Sequence, residues 1–340
     1  MPKPLIICAP EPRSIDLIFN ATAKSALYAQ YDLIEVDPDQ VNGLDHDILG
    51  RARYILGQPP LERYTVEKLS HLRCIFNVES NLINNMPYDM LFSRGIHVVT
   101  TGAVFAAPVA EMGLALALCL ARDVVDADFA FRKGTEQWGG EGNAESVLVS
   151  GSKVGLIGFG DLGRAIARLL AGFRANISVY DPWLPPSVLT DLGVSPATLD
   201  DILTTSNTIF VVAAVTTENK GFLNAAAFAK MKKGTRFILL SRADVVDFDD
   251  MMQSVESGRI LAASDVFPEE PPALEHKVRK LSGFLRSAHR AGALDSAFKE
   301  MGNMVLEDMN LLDRGLPPMR CKRAERETVS RMNSKPVDIN

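Results

Sequence analysis

Cysteine is scarce in this chain of 340 residues, and the four present, Cys8, Cys74, Cys119 and Cys321, lie far apart with no metal-ligand spacing. That excludes a disulfide-stapled fold and a zinc module, and no metal site is expected. Buried free thiols in a reducing compartment are the expected state. Excess positive charge is also missing. Lys and Arg number 36 against 42 Asp and Glu, a net charge of -6, which argues against a general nucleic-acid binder. The basic cluster Arg320-Cys321-Lys322-Arg323-Ala324-Glu325-Arg326 is interrupted by acid and reads as a solvated tail. No long hydrophobic run stands out. The longest, Gly113 to Ala121, is too short to span a bilayer, so no membrane partner is expected. Met1-Pro2-Lys3-Pro4 leads directly into an apolar run, so no secretory signal is read and a cytoplasmic location is expected. Internal repeats and low-complexity tracts are absent.

What is present is the composition of a globular protein, 47% hydrophobic and 23% charged, with length enough for two domains. In the N-terminal third, short apolar runs at Pro4–Cys8, Asp32–Val36, Tyr54–Leu56, Cys74–Asn77 and His97–Val99 alternate with helical patterns. This rhythm predicts a small parallel sheet covered by helices. Pro108 opens an apolar-periodic stretch through Ala121, continuing toward Phe131, and proline suits a first helical turn. Lys133 to Ser150 reads as a polar connection. Further strands are expected at Thr208–Val212, Arg236–Leu240, Leu261–Ser264 and Phe284–Ser287, and a helix at Asp295–Leu312 that returns to the first domain. From Pro317 onward an irregular tail is expected.

The most informative segment is Val154-Gly155-Leu156-Ile157-Gly158-Phe159-Gly160-Asp161-Leu162-Gly163-Arg164. An apolar strand breaks into Gly-x-Gly-x-x-Gly and continues at helical spacing. A second strand, Asn176–Tyr180, ends in Asp181. Strand, glycine turn, helix, strand and terminal acid together make the dinucleotide-binding βαβ unit. Gly158 permits a tight turn, Gly160 a close approach to pyrophosphate, and Gly163 close packing of helix on strand. A carboxylate at Asp181 accepts both ribose hydroxyls of NAD and repels the extra phosphate of NADP.

Three ionisable residues follow predicted strands of the same domain: Arg242, Glu270 and His289. In open α/β sheets ligands sit at the carboxyl ends of strands. An arginine fork grips a carboxylate, a histidine protonates a carbonyl oxygen, and a carboxylate holds the imidazolium. That is the set needed to reduce a 2-keto acid. On residue type alone, a loop histidine, a surface arginine and a solvated acidic turn fit the same positions.

The motifs around them resemble the D-isomer-specific 2-hydroxyacid dehydrogenase family, from the first strand to about Leu312. Val154–Gly163 with Tyr180-Asp181-Pro182 is similar to its NAD fingerprint. Ser241-Arg242-Ala243-Asp244-Val245-Val246-Asp247 is similar to its arginine motif, and Asp265-Val266-Phe267-Pro268-Glu269-Glu270-Pro271 to its glutamate motif. Ser287-Ala288-His289-Arg290-Ala291-Gly292 is similar to its histidine motif, and Pro108-Val109-Ala110-Glu111 to the entry of its long helix. The resemblance implies an α/β protein of two doubly wound domains, a Rossmann nucleotide-binding domain (108–295) inserted in a flavodoxin-like substrate domain (1–107 and 296–340). It implies Arg242, Glu270 and His289 as the catalytic set and NAD as cofactor. The cofactor would be bound by Gly158, Gly160, Asp161, Leu162, Gly163, Asp181, Leu240, Ser241, Arg242, Asp265, His289 and Gly292, with Asp265 on its carboxamide. Ser80, Asn81 and Arg242 would bind the substrate, and the long helices near Ala110–Phe131 would form a homodimer. Departures fall in the loop Val78-Glu79-Ser80-Asn81-Leu82-Ile83-Asn84-Asn85, which lacks the family's glycines, and at Leu239, Ala243, Ala288 and Arg290. They point away from a plain copy of lactate or glycerate as substrate. A formate dehydrogenase-like enzyme and an NAD(H)-binding corepressor-like protein are the other readings of this fold.

Overall fold

Thirteen strands appear in the computed structural model, which describes residues 3–79 and 81–331. They are β1 (Leu5–Ala9), β2 (Asp32–Glu35), β3 (Ala52–Gly57), β4 (Cys74–Asn77), β5 (His97–Thr100), β6 (Lys153–Ile157), β7 (Asn176–Tyr180), β8 (Ser195–Pro196), β9 (Thr208–Val211), β10 (Thr235–Leu239), β11 (Ile260–Ser264), β12 (Phe284–Arg286) and β13 (Lys322–Arg323). The chain divides into two compact units, Met1–Phe105 with Ala293–Asn340, and Ala106–Gly292. The first switch falls at Ala106 rather than at 108 because the helix that opens the second unit begins there.

The first unit is a six-stranded sheet in the order β13-β5-β4-β3-β1-β2. Its central strands are apolar on both faces, as helix-covered parallel strands must be. Ile6, Cys8, Tyr54, Leu56 and Phe76 pack to one side with the helix Asp295–Asp313. Ile7, Ala9, Ile55 and Ile75 pack to the other. Gly302 lets that helix lie close, since a Cβ there would sit 2.5 Å from the Phe19 ring and 2.6 Å from the Ile18 carbonyl oxygen. At the helix C-terminus Asp313 accepts hydrogen bonds from the Tyr31 and Tyr54 hydroxyls (2.6 and 2.7 Å) and from Arg53 Nε (2.7 Å). Burial pushes this carboxyl up, but the three donors outweigh it and hold it below the usual carboxylate range.

The tail corrects the sequence reading. It is an edge strand, with β13 antiparallel to β5 through Lys322↔Thr100 and Arg323↔Val99. Cys321 and Ala324 are buried, and Arg320 is paired with Glu300 and Glu307 rather than solvated alone. The cause is Asp308, wholly buried. It accepts the backbone N–H groups of Met319 (2.7 Å), Arg320 (2.9 Å) and Cys321 (2.8 Å). A side chain on a preceding helix orders the tail, so no local pattern announces it.

The second unit is a seven-stranded parallel sheet in the order β12-β11-β10-β9-β6-β7-β8. The chain leaves β6 toward β7 on one side and returns to β9 on the other, which is the switch point where doubly wound sheets bind nucleotides. The helix Ala106–Arg122 packs on β10 and on the helix Asp161–Ala171. It does not run on to Phe131: Asp123 takes a left-handed conformation (φ 52°) and a separate helix follows, Val124–Lys133, which buries no residue. The apolar stretch is also longer than Gly113 to Ala121. The helical stretch Gly102–Arg122 is long and apolar enough, by length and composition, to cross a membrane. In this fold Ala110, Gly113, Leu116, Ala117, Leu120 and Ala121 of it are buried.

Replacing Asp308 by Ala should strip three backbone donors of their acceptor. Urea unfolding should show a loss of about 3 kcal/mol, the scale of a charged hydrogen-bond set, and the amides of 319–321 should exchange fast. Unchanged exchange there would separate the tail from Asp308.

Candidate active site

The glycine turn forms as its spacing predicts. Gly158 has φ +95°, and a Cβ on it would fall 2.7 Å from Ala213 Cα, so only glycine fits both the dihedral and the space. A Cβ on Gly163 would lie 2.6 Å from the Gly158 carbonyl oxygen, whereas at Gly160 nothing lies within 4 Å. The outer side of the turn is thus open while the inner side is closed. Gly160 caps the helix Asp161–Ala171 without a side-chain acceptor, which leaves the turn's first N–H groups to an anion. Asp181, at the end of β7, is tied to the same turn. Its Oδ2 accepts the Phe159 N–H at 2.8 Å and its Oδ1 the Trp183 N–H at 2.9 Å. Each oxygen keeps a lone pair for a hydroxyl donor. Asp161 is exposed at the helix start and Leu162 is half-buried against the core. The turn therefore fits a dinucleotide: an open face toward phosphate, and a fixed carboxylate for a ribose.

Arg242, Glu270 and His289 all lie in segments that follow β10, β11 and β12. His289 Nδ1 lies 2.6 Å from Glu270 Oε2, and the other carboxylate oxygen accepts the Phe267 N–H at 2.8 Å. The pair is partly open to solvent, with side-chain exposures of 37% and 35%, so a small molecule can reach it. Burial pushes the Glu270 carboxyl up. The hydrogen bonds from His289 and Phe267 and the charges of His289 and Arg242 outweigh burial and hold it below its ordinary range. A carboxylate on Nδ1 makes that nitrogen the donor and turns Nε2 into the proton-exchanging one. Arg242 Nη1 donates to the Ser241 carbonyl at 2.7 Å.

Other expected residues sit differently. Leu240 is a core residue, 4% exposed; its Cδ1 occupies the space a Gly113 side chain would need, so it offers a ligand no side chain. Ser241 is half-buried, its Oγ shielded with no hydrogen-bond partner among the described residues. Asp265 is buried, and each of its carboxylate oxygens already takes a backbone N–H, from Arg290 and from Ala291 (both 3.1 Å). Gly292 is half-buried.

In the first unit, Ser80 lies outside the described residues. Asn81 turns its carbonyl to Asn77 Nδ2 at 2.8 Å. The loop holds a residue that no motif pointed to. Glu79 is ion-paired with Arg13 Nε at 3.2 Å, and the Arg13 guanidinium lies over the Phe298 ring. The signal for Arg13 is its place after β1, at the carboxyl end of a strand. Among the described residues no group of three or more His, Cys, Asp or Glu is placed to hold a metal ion.

The sequence model described as the D-isomer specific 2-hydroxyacid dehydrogenase NAD binding domain matches residues 114–291. A D-3-phosphoglycerate dehydrogenase of Archaeoglobus fulgidus is 28% identical over 296 residues, 83% of this chain and 56% of that protein. The chain thus spans little more than half the length of the phosphoglycerate dehydrogenases it matches. A hydroxypyruvate reductase of Thermotoga maritima is 29% identical over 66% of this chain and 72% of its own length. Among solved structures, a phosphoglycerate oxidoreductase from Rhizobium etli superposes with a TM-score of 0.90 at 66% identity, covering 96% of this chain and 100% of that one. With the glycine turn, the Asp181 anchor and the Glu270–His289 pair in place, these matches have one consequence: the chain belongs to the D-isomer specific 2-hydroxyacid dehydrogenase family.

Proposed function

We propose that the protein interconverts a 2-keto acid and the corresponding D-2-hydroxy acid, using NAD. The observation that carries this reading is the 2.6 Å contact between His289 Nδ1 and Glu270 Oε2 beside the strand that presents Arg242. The Gly158–Gly163 turn and Asp181 would hold the cofactor, which when bound would supply or accept a hydride at C2. Arg242 receives the substrate carboxylate as a two-pronged donor and polarises the adjacent carbonyl. His289 donates a proton from Nε2 to the carbonyl oxygen as reduction proceeds and recovers it in oxidation. Glu270, ionised because its donors outweigh its burial, stabilises the imidazolium and fixes the ring. The relatives named for phosphoglycerate and hydroxypyruvate support a short, polar keto acid.

The protein's setting belongs to the same proposal. Val124, Val125, Phe129, Phe131 and Trp138 are exposed on and after a helix that buries nothing, with Trp138 at 75%. Phe131 and Trp138 touch edge to face. So large an apolar face supports a homodimer built there. All four cysteines are free, which supports a cytoplasmic location. The negative charge supports a small-molecule partner without nucleic acid, and the buried side of the Ala106–Arg122 helix supports a role as core and not as a membrane anchor.

Reduction needs protonated His289, so its kcat/KM should fall as pH rises and the imidazolium is lost; oxidation needs the neutral ring and should show the opposite limb. Because the Glu270 pKa is lowered, its support persists through mildly acidic pH and is lost only as pH falls through that lowered value. Glu270→Gln should move both limbs to lower pH, and His289→Ala should cost about a hundredfold or more in kcat. A pH profile unmoved in Glu270→Gln removes Glu270 from the chemistry. For the cofactor, wild type should bind NADH more tightly than NADPH in a fluorescence titration, and Asp181→Ser should narrow the gap. A wild-type preference for NADPH contradicts the role given to Asp181. Light scattering should report a dimer that Phe129→Asp with Phe131→Asp converts to monomer; a wild-type monomer rules the apolar face out as a dimer contact.

A further inference from the structure

We infer that Asp265 is a positioning residue for His289, a clamp that holds the histidine loop in the one turn that sets the imidazole on Glu270. The inference rests on the reading of His289 as the proton donor. His289 has φ +47°, one of three positive values among the described residues other than glycine. A side chain in the left-handed region is strained, and such strain persists only where the surroundings over-determine it. What over-determines it here is a single residue. Three successive N–H groups converge on Asp265. Its main-chain oxygen accepts from His289 at 2.8 Å, Oδ1 from Arg290 at 3.1 Å and Oδ2 from Ala291 at 3.1 Å. Consecutive N–H groups around one anion form a nest, and here the anion is a side chain of the protein itself.

The clamp is itself rigid. Asp265 is 2% exposed, and its own N–H donates to the Leu239 carbonyl at 3.2 Å at the carboxyl end of β10. Ala291 is buried beside it. Glu270 is held independently, by the Phe267 N–H at 2.8 Å. The 2.6 Å His289–Glu270 contact therefore depends on where the turn puts the ring, and the turn depends on Asp265. This gives Asp265 a task different from the carboxamide contact that family resemblance implies. It also explains why a carboxylate is needed. Asparagine has one acceptor oxygen, so its amide would face one of the two N–H groups donor to donor.

Asp265→Asn tests this, alone and with His289→Ala, on the whole 340-residue chain. NADH affinity by fluorescence titration should stay within about threefold. In wild type, His289→Ala should cost about a hundredfold in kcat; in Asp265→Asn the same change should cost less than about tenfold, because the ring is already displaced and the two losses do not add. The basic limb of the pH profile should shift to lower pH in Asp265→Asn, as it should in Glu270→Gln. Full additivity of the two substitutions overturns the clamp, and so does a more than tenfold loss of NADH affinity with kcat retained, which marks a cofactor contact. A wild-type enzyme indifferent to His289→Ala defeats the proton-donor reading instead. The clamp then stands or falls on amide exchange of the unmutated protein, which also serves if Asp265→Asn does not fold. The N–H groups of 289–291 should exchange as slowly as those of β11 although His289 and Arg290 are exposed, and fast exchange there overturns the proposal.

Discussion

Parallel pairing in the second unit is the constraint on which the rest depends. β6, β9, β10, β11 and β12 run in one direction, so their carboxyl ends share one edge of the sheet. The glycine turn follows β6, Arg242 follows β10, Asp265 and Glu270 follow β11, and His289 follows β12. Residues more than a hundred positions apart come to one edge without any contact among themselves having to enforce it. The registers Phe237↔Ala262 and Ala263↔Leu285 fix how far each loop starts from the next. Side chains buried on both faces of these strands make a slip costly, because every residue of the slipped strand would change face.

On that edge, charge is balanced by geometry. The Glu270 pKa is pushed up by burial and down by hydrogen bonds from His289 and Phe267 and the charges of His289 and Arg242, and the second set wins. A carboxylate kept ionised beside a histidine is what a reversible proton donor requires. Partial exposure of the pair keeps the site accessible. The glycine turn works by contrast of space: closed at Gly158 and Gly163, open at Gly160.

Three aspartates, two of them buried, share a further logic. Asp265, Asp308 and Asp313 each gather several donors: backbone N–H groups in the first two, and two tyrosines with an arginine in the third. A carboxylate has about four lone-pair positions, so one residue organises a loop, a tail or a helix end. Buried acids are tolerated only with such partners.

The sequence by itself determined the alternation of strands and helices, the glycine turn and the residues that follow β10, β11 and β12. Those features are local: apolar runs of strand length, a dihedral that only glycine adopts freely, and a carboxylate at a strand end. The strands Cys74–Asn77 and Asn176–Tyr180 were legible to the residue for that reason. Tertiary structure alone decided the rest. β13 has two charged residues and no hydrophobic pattern, and it exists because Asp308 meets the tail from another element. The break at Asp123 interrupts a stretch whose periodicity gives no warning. The Leu240 side chain is turned into the core, where it fills the space beside Gly113. Arg13 and Glu79 found each other across a separation no spacing rule covers. Asp265 accepts the Arg290 and Ala291 N–H groups, because where a side chain's lone pairs go is settled by which donors the fold brings within reach, and a sequence lists donors without placing them.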